Sequence, residues 1–73
     1  MLCDYSKLEG RIKEKCGKQA IFASKIGLSE RSVSLKLNNK RDWKQSEIRK
    51  SCEVLEIKVQ EIPSYFFALE VQN

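Results

Sequence analysis

The stretch from Lys18 to Lys40, KQAIFASKIGLSERSVSLKLNNK, decides how this chain is read. It divides at Gly27 into two short amphipathic segments. In the first, Ala20, Phe22, Ala23 and Ile26 recur at helical spacing on one face, and Ala23 is small where a second helix has to cross closely. Gly27 supplies the positive-φ residue that ends this helix. Leu28 can plug the corner from inside, Ser29 is a good N-cap for a new helix, and Val33 with Leu37 gives that helix a buried seam. The opposite face is left with Glu30, Arg31, Ser34 and Leu35.

This corner resembles the helix-turn-helix of the lambda-repressor-like (Cro/C1, XRE) family, and is most similar to small phage Cro-like regulators. The resemblance is carried by Gln19 opening the motif, Ala23 and Gly27 at the crossing and corner, Val33 in the second helix and Asn38 near its end. A family-like helix pattern and the Tyr65-Phe66-Phe67 tail extend it over most of the chain. One position departs: three residues after Val33, where the family usually has an aliphatic side chain, stands Lys36, and the seam shifts onto Leu37. The resemblance implies an all-α fold, a five-helix lambda-repressor-like DNA-binding domain spanning 1–73. The motif covers about 18–38, and a short extended C-terminal arm about 67–73.

Seventy-three residues suffice for one domain and one modest core. A hydrophobic content of 41% beside 33% charged residues is too apolar for a disordered chain and ordinary for a helical domain. No apolar run is long enough to cross a membrane and the first residues lack a signal-peptide pattern, so the expected location is the cytoplasm of a bacterial host, on DNA. Cys3, Cys16 and Cys52 form no CxxC pair, and the chain has no histidine. No metal, no cofactor and no catalytic residue is therefore expected, and the thiols should be reduced. Cys16 and Cys52 fall on apolar seams, whereas Cys3 is expected near the surface.

Charge is placed unevenly. Residues 18–50 carry nine cations against three anions, a net of +6, while residues 51–73 carry Lys58 against four glutamates, a net of −3. A basic excess centred on the motif is the electrostatic footprint that phosphate requires.

Outside the motif, Tyr5, Leu8, Ile12 and Cys16 make one helical stripe, capped by Asp4 or by Ser6 in a capping box with Glu9. Gly10 suggests close packing against a neighbour, and Gly17 stops the helix. Lys44 to Glu56 reads as a fourth helix with Ile48, Cys52 and Leu55 as its stripe and Ser46 as an alternative cap. Trp43, just before it, belongs to the core. Gln60 to Phe66 can form a fifth helix with Pro63 in its first turn. From Phe67 to Val71 the apolar period becomes two, as in a strand, and such an arm must fold back on the core or pair with a second molecule.

The resemblance implies sequence-specific binding of double-stranded operator DNA by a transcriptional regulator, with the helix from Ser29 to Leu37 in the major groove. Arg31 would grip guanine, Glu30 would accept from cytosine or orient Arg31, Ser34 would reach a base or phosphate, and Leu35 suits a thymine methyl. Phosphate contacts would come from Lys18, Gln19, Asn38, Lys40 and Arg41. A homodimer, completed on DNA where its interface is small, would supply two half-sites, with the arm as candidate interface. The competing reading is a protein partner. Small phage regulators of this appearance can act as antirepressors or modulators that bind another repressor's helix-turn-helix domain, and Glu30 and Leu35 suit that use.

Overall fold

A computed structural model of the chain describes residues 2–70. The fold is all-α, with helices α1 (Ser6–Cys16), α2 (Gln19–Lys25), α3 (Glu30–Leu37), α4 (Gln45–Leu55) and α5 (Ile62–Phe66), the last preceded by a 3₁₀ turn at Val59–Glu61. Among the described residues five helices are thus present, as expected. The expected fifth helix divides in two, with Pro63 in the first turn of α5, where its missing amide costs nothing.

One core holds the helices together: Tyr5, Leu8 and Ile12 from the first segment, Phe22, Ala23 and Ile26 from α2, Val33 and Leu37 from α3, Leu55 and Ile57 from the end of α4, and Tyr65 and Phe66 from α5. Trp43 sits against this core and joins its aromatic members. Its ring centroid lies 5.4 Å from Phe66 and 6.4 Å from Tyr5, both edge to face, and 6.5 Å from Phe22. Burial pushes the Tyr5 hydroxyl up to about 12, helped by the neighbouring Cys3 and Asp42.

The α2–α3 corner is closed by backbone chemistry. Gly27 adopts φ 77°, its amide donates to Ser24 O at 3.2 Å, and the Leu28 amide reaches back to Ala23 O at 2.8 Å. These two bonds satisfy the last carbonyls of α2 and fix the direction in which the chain leaves it. Ser29 Oγ then accepts the Ser32 amide at 3.1 Å, the N-cap read from the sequence.

Several local expectations need correction. Ala20 is exposed, so the buried face of α2 is Phe22, Ala23 and Ile26 alone. Of the two expected caps of α1, Asp4 is the one that engages, its Oδ1 accepting the Ser6 amide at 2.9 Å and the Ser6 hydroxyl at 2.6 Å, and the Ser6–Glu9 box does not form. At α4 the cap is Glu47, whose carboxylate accepts the Lys44 amide at 2.8 Å, in place of Ser46. Cys16 and Cys52 are only half-buried, and Cys3 is half-buried where it was expected near the surface. Gly10 makes no close approach, because a Cβ built there would meet nothing within 4 Å. Gly10→Ala is accordingly expected to stabilise the domain by about 0.5 to 1 kcal/mol, read as an increased urea midpoint at unchanged slope.

The arm also departs from one of its two expected fates. Ala68 O accepts the Asp4 amide at 2.6 Å and the Glu70 amide donates to Leu2 O at 2.9 Å, an antiparallel bridge that sets Cys3 opposite Leu69. It folds back on its own chain. Val71, Gln72 and Asn73, the rest of the expected arm, lie outside the described residues. On its other side the Leu2–Asp4 segment is held by Asn39, whose Oδ1 accepts the Cys3 amide and whose Nδ2 donates to the Cys3 carbonyl, both at 2.9 Å. Asn39 can take the required φ of 61° because its short polar side chain tolerates the left-handed region better than most.

Candidate protein-binding face

α2 and α3 bring five of the nine expected contact residues together. Gln19, at the start of α2, and Glu30, Arg31, Ser34 and Leu35 of α3 line one open groove of about 520 Å³. Glu30 and Arg31 are exposed in the first turn of α3, while Ser34 and Leu35, one turn on, are half-buried. The spacing is that of one helix face, so a carboxylate and a guanidinium stand at one end of the groove and an aliphatic side chain at the other.

The other expected contacts are less concentrated. Lys18, Lys40 and Arg41 are exposed outside the groove lining. Asn38 is engaged locally, its Nδ2 donating to Ser34 O at 2.8 Å and approaching Ser34 Oγ at 3.4 Å. It thereby helps to finish α3 while its side chain remains exposed.

Three features of this region escape a reading of the sequence. Ile21 lies on the outer side of α2 with 44% of its surface exposed, an aliphatic residue out of phase with Phe22, Ala23 and Ile26. That phase mismatch was the available signal. Asn39 anchors the N-terminal segment, for which a lone Asn-Asn pair gives no warning. Lys36 is not displaced from the seam; it is 5% exposed and points inward.

Lys36 is compatible with burial because its charge is met. Its Nζ is 2.9 Å from Glu47 Oε1 and donates to the Asp42 carbonyl at 2.9 Å, with the Trp43 ring centroid 5.9 Å away. Burial by itself would raise the Glu47 carboxyl, but the Lys44 amide and the Lys36 ammonium outweigh it and hold the group below the ordinary carboxylate range. Among the described residues, no group of three or more His, Cys, Asp or Glu side chains could hold a metal ion, and no helix is long and apolar enough to cross a membrane.

The protein family described as "Protein of unknown function (DUF739)" matches residues 1–69. The chain belongs to this family. Its description assigns no activity. A solved structure similar to the chain is the solution structure of the modulator of repression (MOR) of the temperate bacteriophage TP901-1 from Lactococcus lactis. It is 57% identical, the match covers 99% of this chain and 97% of that one, and the TM-score is 0.80. No protein with a curated description matches the chain.

Proposed function

We propose that the chain is a modulator of repression that works as a binding protein, without a catalytic step, by docking its α2–α3 face on the helix-turn-helix domain of a phage repressor. The observation that carries this reading is the 57% identity, across nearly the whole of both chains, to a protein described as a phage modulator of repression. On this view the architecture is that of the lambda-repressor-like family, with the recognition face turned to a protein.

The surface chemistry fits that use. Glu30, in the first turn of α3, would face phosphate unfavourably in a DNA complex but can pair with the cations that a repressor presents to DNA. Leu35 supplies apolar contact, and Arg31 is a residue type enriched in interface centres.

The test is a calorimetric titration with the full-length repressor encoded in the same genome, beside a mobility-shift assay of operator DNA at stated salt. A one-to-one complex is expected, together with release of the repressor from its operator. Leu35→Ala should weaken that complex by about 2 kcal/mol, roughly thirtyfold, without changing the thermal midpoint appreciably.

A second reading is favoured by one observation. Arg31 is exposed at the head of α3 and, among the described residues, pairs with no carboxylate, so its guanidinium is available to a guanine edge. Under that reading the chain would bind operator DNA as a dimer, with Lys18, Lys40 and Arg41 on phosphates. A shift of operator DNA by the chain alone, with no capture of the repressor, would establish it in place of the first.

A further inference from the structure

Lys36 is the position in α3 whose side-chain chemistry most opposes its burial, and the way that burial is satisfied has a consequence for the binding face. With its partner Glu47 it is almost closed to solvent, the two side chains being 6% and 10% exposed at 2.9 Å separation. The ammonium also holds the Asp42 carbonyl, and the Glu47 oxygen it touches also takes the Lys44 amide. The Lys36 carbonyl accepts the Asn39 amide at 3.2 Å, and the Lys40 amide returns to Leu35 O at 2.8 Å. One residue therefore ties α3 to both ends of the connection leading into α4.

For stability alone this is a poor solution. Withdrawing two charges from water offsets most of what their attraction returns, and an apolar pair of similar volume often does as well or better. Directed, charge-assisted hydrogen bonds supply something an apolar contact does not, a single permitted geometry.

We infer that Lys36 is a positioning residue: its bonds to Glu47 and Asp42 fix the orientation in which α3 presents Glu30, Arg31, Ser34 and Leu35, and thereby set the affinity of that face for its partner. For the partner's identity the inference rests on the repressor-binding reading above, and for its mechanism on the ion pair itself. Lys36 touches nothing in the groove. It acts through the backbone of α3 and the 38–42 connection.

The test combines Lys36→Met with Glu47→Gln in the full chain. The glutamine carbonyl still accepts the Lys44 amide, so the start of α4 keeps its cap while both buried charges disappear. The double variant should fold with a thermal midpoint no more than about 5 °C below the parent. It should nevertheless bind the full-length repressor at least fivefold more weakly, a loss that a merely stabilising pair would not produce at unchanged stability. A smaller loss of affinity, or a midpoint lowered by more than that, overturns the inference. If the parent chain binds no repressor, the functional reading fails on its own and hydrogen exchange decides. The Asn39 and Lys40 amides should then exchange at least fivefold faster in the double variant while those of Leu8 and Ile12 are unchanged, and any lesser difference overturns it.

Discussion

Replacing Trp43 by alanine is expected to cost about 3 to 5 kcal/mol, enough to leave a domain of this size largely unfolded at 37 °C. The indole meets Tyr5, Phe22 and Phe66, which come from the segment before α1, from α2 and from α5, so its loss opens a void where three separately folded parts converge. Edge-to-face pairs of this kind contribute about 0.5 to 1.5 kcal/mol beyond the area they bury, and two of the three have that geometry. Lys36 would lose the ring beside its ammonium as well. Trp43→Phe separates ring packing from the indole nitrogen. Nε1 is buried and has no hydrogen-bond partner among the described residues, so phenylalanine removes an unsatisfied donor while keeping an aromatic face. Urea unfolding followed by far-ultraviolet circular dichroism should place Trp43→Phe within about 2 kcal/mol of the parent and Trp43→Ala far below it. Equal midpoints for the two variants would show that the ring does not join these elements.

What the sequence discloses about this molecule follows the periodicity of its apolar residues, and what it conceals is held by polar ones. Phe22, Ala23, Ile26, Val33 and Leu37 have helical spacing and a glycine between them, so the α2–α3 corner is legible from composition and spacing alone. α4 is harder. Its buried line runs through Glu47 and Ser51 to Leu55, two polar residues on a face where Ile48 and Cys52 are only half-buried. Ser51 is compatible with full burial because its hydroxyl donates to Glu47 O at 2.7 Å, and Glu47 because it meets Lys36. Neither partner is visible until the helices are placed side by side. Arg11 repeats the lesson: its guanidinium donates to the Leu55 and Glu56 carbonyls, satisfying the end of α4 from forty-four and forty-five residues away.

The groove was legible residue by residue for the same reason the corner was. Glu30, Arg31, Ser34 and Leu35 belong to what remains of α3 once Val33 and Leu37 are assigned to the core, although the same remainder holds Lys36, which the structure buries. What that face binds is a different matter, because a polar helix face with one leucine serves a nucleic acid or a protein equally well on pattern alone. On the reading proposed above, in which the chain modulates repression by binding a repressor, that face meets a protein. The closure of the arm on its own chain agrees with that reading, since Ala68 and Glu70 are already paired with Asp4 and Leu2.

Asn39→Ala is expected to destabilise by about 2 to 4 kcal/mol, the larger part of it felt at the paired termini. Two hydrogen bonds to Cys3 are lost, each worth about 0.5 to 1.5 kcal/mol, and alanine is forced to hold a φ of 61° at a further cost of about 1 kcal/mol. Asn39→Gly keeps the backbone conformation and loses only the side chain, so the difference between the two variants isolates the backbone term. The consequence should be directional. With its Asn39 side released, the Leu2–Asp4 segment keeps only the two bonds to Ala68 and Glu70, and a two-stranded bridge of that length has little stability of its own. Amide exchange at Asp4 and Glu70, whose hydrogens close the bridge, should therefore accelerate in both variants by more than the global unfolding rate requires, while amides within α1 and α4 follow the global change. Exchange that rises uniformly through the chain would mean that Asn39 supports the whole core and that the termini are not a separately opening unit. If instead the bridge opens alone, the groove should keep its shape, because the Ser29 cap, the Gly27 corner and the Lys36–Glu47 pair that hold α3 do not pass through Asn39's side chain.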